Sequence, residues 1–293
     1  MPRANGHVEI ADTPFRERRI SAQDGLELYF RDYGDPTSTR TPVLCLTGLT
    51  RNSKDYHPLA SRIAHERRVL ALDYRGRGRS ARDPDYSNYK AQVYLNDIRC
   101  LLAATNCHHV ICVGTSLGAI LSMALAVVSP TTVAGAILND AGPELDTSGL
   151  ARIMGYIGQD HPVADWDEAT EHVKELFGAV SGRPDDQWHD IAKGTFVEGA
   201  DGKLHYDWDT NIAKALAEAG EVPDLWPLYR ALRGVPVLAL RGAISDVLSA
   251  DVFARMAEDM PNLTQVTVPD VGHVPTLGER EAREAIDAFL AAL

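Results

Sequence analysis

Val110-Ile111-Cys112-Val113-Gly114-Thr115-Ser116-Leu117-Gly118 is an apolar run that ends in Gly-x-Ser-x-Gly, and an Ala/Leu-rich helix pattern over 116–128 follows, stopped before Pro130. The pentapeptide alone is common by chance. Its meaning comes from the strand before it and the helix after it. A serine on so tight a strand-to-helix turn is held in strained backbone with its hydroxyl exposed. Gly114 and Gly118 leave room where a Cβ would meet neighbouring backbone. The turn places the hydroxyl at the carboxyl edge of a sheet, where open α/β sheets bind ligands. Ser116 is therefore the expected nucleophile.

Other short apolar runs recur at 42–46, 68–72, 133–138, 235–240 and 263–268. Unbroken apolarity, in place of alternation, marks strands covered on both faces. Helical patterns fall between them at 55–65, 90–104, 250–260 and 278–292. The fold class is α/β, a mostly parallel doubly wound sheet. Ahead of it, 19–21 and 26–30 flank Asp24-Gly25 and predict a hairpin with a type I′ turn. The interval 145–232 breaks the alternation, with helical pieces and a hairpin around Asp201-Gly202. A segment of that length between two core strands is an inserted, mainly helical cap. The expected organisation is a flexible N-terminal extension at 1–18, a core formed by 19–144 and 233–293, and a cap at 145–232.

A serine hydroxyl is a weak nucleophile and needs a base, which in turn needs an orienting group. Of ten histidines, His273 stands in a loop directly after the last strand, at the correct edge, and is the expected base. Asp246 follows the strand at 235–240 and is the expected acid, giving the chain order Ser116, Asp246, His273. Asp140, at the end of the strand at 133–138, is the alternative acid. Two N–H donors must hold the oxyanion. Leu117, just after the nucleophile, is one, and Leu49, in the loop Thr47-Gly48-Leu49, is the other.

With these motifs, and with Asp73-Tyr74-Arg75-Gly76-Arg77-Gly78-Arg79-Ser80 after the strand at 68–72, the chain resembles the α/β-hydrolase superfamily. The likeness is to its capped serine carboxylesterase-like members and covers 19–293. The resemblance implies a metal-free hydrolase with no cofactor. One departure stands out: many members have His-Gly in the oxyanion loop, where this chain has Thr47-Gly48.

All four tryptophans lie in the expected cap, which holds 17 acidic and 7 basic residues, a net of −10 out of the chain's −12. This balance argues against nucleic acid and anionic membranes as partners and favours a small, largely neutral substrate. Arg51, His57, Tyr156 and Trp188 are the expected substrate-facing residues. The N-terminus has no apolar signal region and no run is long enough to span a bilayer. Cys45, Cys100, Cys107 and Cys112 read as reduced, so a cytoplasmic protein is expected; a homo-oligomer stays open. The expected reaction is hydrolysis of a small to medium ester or lactone through an acyl-enzyme. Hydrolysis of a C–C bond in a ring-cleavage product, or perhydrolysis, is the alternative with the same residues. A ligand receptor without turnover is the reading from outside enzymology.

Overall fold

The computed structural model describes residues 13–178, 187–220 and 223–293. The hairpin is formed by β1 (Phe15–Ser21) and β2 (Glu27–Tyr33). Next come β3 (Val43–Leu46), α1 (His57–Ile63), β4 (Val69–Leu72), α2 (Ala91–Ala104), β5 (Val110–Thr115), α3 (Leu117–Val128) and β6 (Val133–Asn139). The insertion contains α4 (Thr147–Ile157), α5 (Trp166–Phe177), α6 (Trp188–Thr195), β7 (Phe196–Glu198), β8 (Leu204–Tyr206), α7 (Ile212–Glu218) and α8 (Trp226–Arg230). The core resumes with β9 (Val237–Gly242), α9 (Ala250–Asp259), β10 (Leu263–Val268) and α10 (Arg280–Ala291).

Eight strands form one sheet in the order β1-β2-β4-β3-β5-β6-β9-β10. The pairs from β4 through β10 are parallel, and β2 joins them antiparallel. Side-chain alternation sends Leu44, Leu70, Cys112 and Leu138 to one face, under α2, α3 and α9. It sends Cys45, Ala71, Val113 and Leu240 to the other, under α1 and α10. Both faces of the inner strands are thus buried, which is why they read as continuous apolar runs, while the edge strand β10 stays half-exposed.

Two local expectations differ from the structure. Residues 1–12 of the N-terminal extension lie outside the described residues, but from Phe15 the chain is already strand, paired residue by residue with β2. The hairpin turn is not type I′, which needs positive φ at both central residues. Only Gly25 is left-handed, at φ 87°. Gly25 N–H donates to Ala22 at 2.9 Å and Ala22 N–H to Leu26 at 2.8 Å. This is a three-residue loop in which the glycine alone takes the conformation closed to Asp24.

Because the core strands are parallel, their carboxyl ends share one edge. The loops after β3, β4, β5, β6, β9 and β10 gather there and carry Leu49, Arg77, Ser116, Asp140, Asp246 and His273. Among the described residues, no helix is long and apolar enough to cross a membrane.

Candidate active site

Ser116 has φ 52° and ψ −113°, a conformation an L-residue holds only where its surroundings impose it. The surroundings are two glycine contacts. A Cβ on Gly114 would stand 2.3 Å from the Gly118 carbonyl oxygen, and one on Gly118 would stand 1.9 Å from that of Leu46. β5, the start of α3 and the end of β3 therefore close on one another only with glycine at both places. Ser116 N–H is spent on Asn139 O at 3.0 Å.

His273 Nε2 lies 3.1 Å from Ser116 Oγ, and its Nδ1 lies 2.7 Å from Asp140 Oδ2. The buried carboxylate accepts a hydrogen bond from Nδ1–H and keeps the proton on that nitrogen. Nε2 is then the acceptor for the serine proton, as a general base requires. The acid on the histidine is thus Asp140, not Asp246. Asp140, at φ 54° just past β6, is fully buried. Its Oδ1 accepts from Gly242 N–H at 2.9 Å, and its Oδ2 also accepts from Ser245 Oγ at 2.7 Å. The end of β9 and the loop after it, expected to supply the acid, instead supply the donors that hold it.

Asp246 is turned to the insertion. Arg152 of α4 grips it through Nε at 2.7 Å and Nη2 at 3.0 Å. Burial alone would raise the Asp246 carboxyl, but the Arg152 guanidinium, with a weaker pull from His273, holds it below its ordinary value.

The expected oxyanion donors come from the start of α3 and from the loop after β3. Leu117 opens α3, where first-turn N–H groups have no helical partner. Leu49 N–H meets no acceptor among the described residues. The loop that carries it is braced without a histidine. Arg77, fully buried, donates from Nε to Leu49 O at 2.7 Å, and Thr47 Oγ1 donates to Arg51 O at 3.2 Å. Arg77 is itself packed against the rings of Tyr74, Tyr89 and Tyr94. Tyr56 donates to the end of β3 at Leu46 O, 2.8 Å. Asn139 Nδ2 reaches Pro275 O at 2.9 Å and so ties the histidine loop to β6.

A cavity of about 740 Å³ opens at Ser116 and His273. Its insertion side is built by Arg152, Ile153, Tyr156, Phe177 and Ile191, with the Tyr156 and Phe177 rings edge to face at 5.6 Å. His57 lines the opposite arm and meets Tyr33 Oη at 3.1 Å through Nδ1. Arg51 also lines the cavity, but its nitrogens are spent on Asp55 and on Thr195 Oγ1 at 2.5 Å, which joins the oxyanion loop to α6. Trp188 does not reach it: the ring is buried in the insertion's own packing, and no tryptophan is among the lining residues. These large rings give a small helical insertion its core, and the cavity wall is left to Tyr156 and Phe177.

The wall also differs in charge from the insertion that supplies part of it. Arg31, Arg51, Lys54, Arg152 and Lys193 line the cavity against Asp55 and Asp190. The insertion's acidic residues are mostly elsewhere. Cys45 and Cys112 are buried in the sheet, and burial pushes the Cys112 thiol up to about 12, so neither is suited to be a nucleophile.

Sequence reasoning missed Ser245, Arg77 and Arg152. Ser245 had a signal, a hydroxyl one residue before the expected acid. Arg77 lay inside the Asp73–Ser80 motif without an assigned task. Arg152 had none, because only the docking of α4 brings it to the site.

Strand order and elbow together define a hydrolase of the α/β class. The chain belongs to the alpha/beta hydrolase family, whose model matches residues 43–288. It is 34% identical, over 84% of this chain and 87% of the relative, to a 3-hydroxybutyrate-oligomer hydrolase of Cupriavidus necator. It is 30% identical, over 91% of each chain, to a 2-(acetamidomethylene)succinate hydrolase of Mesorhizobium japonicum. Among solved structures, an alpha/beta hydrolase from Novosphingobium aromaticivorans superposes with a TM-score of 0.89 at 41% identity, covering 96% of this chain and 99% of that one.

Proposed function

We propose that the chain is a serine hydrolase that cleaves a small to medium carboxylic ester or lactone through an acyl-enzyme. The observation that carries this reading is the relay Ser116 Oγ, His273 Nε2 and Nδ1, Asp140 Oδ2, at 3.1 and 2.7 Å. Ser116 Oγ attacks the carbonyl carbon as His273 takes its proton. The oxygen that gains charge sits between the N–H groups of Leu49 and Leu117. When the tetrahedral intermediate collapses, His273 returns the proton to the leaving alcohol, leaving the acyl group on Ser116. Water, deprotonated by the same nitrogen, releases the acid. Asp140 keeps the Nδ1 proton in place and stabilises the imidazolium at each step.

The relative named for 3-hydroxybutyrate oligomers supports an ester, since such oligomers are joined by ester bonds. The same relay serves C–C hydrolysis or perhydrolysis, and fold does not choose among them. The insertion would act as a lid, its apolar wall of Ile153, Tyr156 and Phe177 lying over the acyl or alcohol chain. The four free thiols fit a reducing, cytoplasmic setting.

The test is turnover of p-nitrophenyl butyrate by the Ser116→Ala protein, with fluorophosphonate labelling of the parent. The proposal expects label on Ser116 and a loss of about 10⁴-fold or more in kcat. Undiminished turnover by the alanine protein would refute it.

A further inference from the structure

We propose that the site takes an ester bearing a free carboxylate, and that Arg152 is the residue that recognises it. This rests on the ester-hydrolase reading above and narrows its substrate class.

The docking of α4 fixes where Arg152 stands. Asp146 N–H donates to Val247 O at 2.8 Å, pinning the start of α4 to the loop after β9. At Gly149 the helix comes so close that a Cβ would stand 2.5 Å from Asp246 O and 2.6 Å from Val247 Cγ2. One turn further on, Arg152 meets the Asp246 side chain. Its Nε and Nη2 are bound there, fork to fork. The guanidinium is thereby fixed at little further entropic cost to a ligand. Nη1 has no partner among the described residues, and Arg152 lines the same cavity as Ser116 and His273.

Of the other lining cations, Arg51 and Lys54 are committed, whereas Arg31 and Lys193 have no ion pair among the described residues. Arg51 is spent on Asp55 and Thr195. Lys54 is spent on Lys193 O at 2.9 Å and Asp207 at 2.8 Å. A chain of net charge −12 that lines its cavity with five basic and two acidic residues departs from its own average at the place where substrate must sit. Such a wall draws anions and weakens the case for a neutral substrate. A pre-oriented guanidinium edge suits a carboxylate better than a neutral carbonyl.

The test compares the dimer of 3-hydroxybutyrate with its methyl ester. The parent enzyme should favour the free acid in kcat/KM about 10-fold or more, and salt should erode that preference. In Arg152→Ala the ratio of acid to methyl ester should fall about 10- to 100-fold, with a smaller fall in Arg152→Lys, which keeps a charge without the fork. An unchanged ratio in both variants, or a parent enzyme that treats the two esters alike at every salt concentration, overturns the proposal. The parent comparison decides the matter even where a variant fails to fold. Ser116→Ala separates the two readings: if it cleaves both esters as the parent does, the hydrolase reading fails. If it is inactive while the Arg152 ratio stays put, only the carboxylate site fails.

Discussion

Asp140 Oδ2 accepts two hydrogen bonds at 2.7 Å, one from His273 Nδ1 and one from Ser245 Oγ. The acid of the relay therefore lies after β6, while the loop after β9 anchors it. The two loops are adjacent because β6 and β9 pair in the sheet, so a carboxylate from either could reach the histidine. Asp140→Asn should cost about 10³- to 10⁴-fold in kcat, because the amide no longer fixes the Nδ1–H tautomer. Asp246→Asn should cost far less. Steady-state kinetics of both variants on one ester, with folding checked by circular dichroism, decides between the two carboxylates. Equal losses would contradict the assignment.

Ser245→Ala removes one donor to a buried carboxylate and leaves Gly242 N–H in place. Hydrogen bonds to charged groups contribute about 1.5–3 kcal/mol. The variant should lose roughly 10-fold in kcat with KM little changed, and Ser245→Thr should recover most of it. A wild-type kcat in the alanine variant would show that the hydroxyl plays no part.

These residues also show what a one-dimensional reading can and cannot see. Ser116 was legible because its neighbours constrain it locally: an apolar strand, two glycines and a helix occur together within one short stretch. His273 was legible because it follows the last strand directly. The acid was not, because two aspartates follow neighbouring strands at the same edge. What separates them is Arg152, which occupies Asp246 from an insertion whose docking has no local signature. Trp188 misled for the related reason that composition does not say which face of a helix is inward. The inner strands of the parallel sheet were readable, since burial on both faces leaves a continuous apolar imprint.

Arg77 acts on the oxyanion loop through the Leu49 carbonyl, 2.7 Å from its Nε, and touches no reacting atom. Arg77→Met keeps much of the side chain's bulk among the tyrosines and removes the donor. The Leu49–Thr50 peptide is then free to turn, and the loop that aims the Leu49 N–H of the preceding peptide loses its brace. The expected outcome is a kcat loss of about 10- to 100-fold, within the range for a misplaced oxyanion donor. KM should move little. A variant that raises KM alone would assign Arg77 to the pocket's shape instead.

Gly118→Ala tests the elbow as a packing device. Its Cβ would meet the Leu46 carbonyl at 1.9 Å and that of Thr47 at 2.9 Å, and both are backbone atoms that cannot swing aside. Overpacking of this kind costs about 1–3 kcal/mol, occasionally more. Denaturant unfolding should show at least that loss, and Ser116 labelling should slow even in protein that remains folded. A variant with parent stability would mean that β3 and α3 can separate without cost.

The Arg152–Asp246 pair ties the insertion to the core, and its response to acid has a definite sign. Asp246 titrates below its ordinary carboxylate value of about 3.9, since Arg152 outweighs the burial that would raise it. A carboxyl held low in the folded state stabilises fully above the unfolded value. That stabilisation is lost as pH falls from there through the folded value. The parent should therefore lose stability between about pH 4 and the lower folded value, and Asp246→Asn should lose less over the same interval while being less stable near neutrality. The residue is partly exposed, so solvent screening keeps the difference small. Urea midpoints measured at pH 7 and at successive steps below pH 5 would show it. Parallel pH profiles for the two proteins would mean that the guanidinium does not hold Asp246 low in solution.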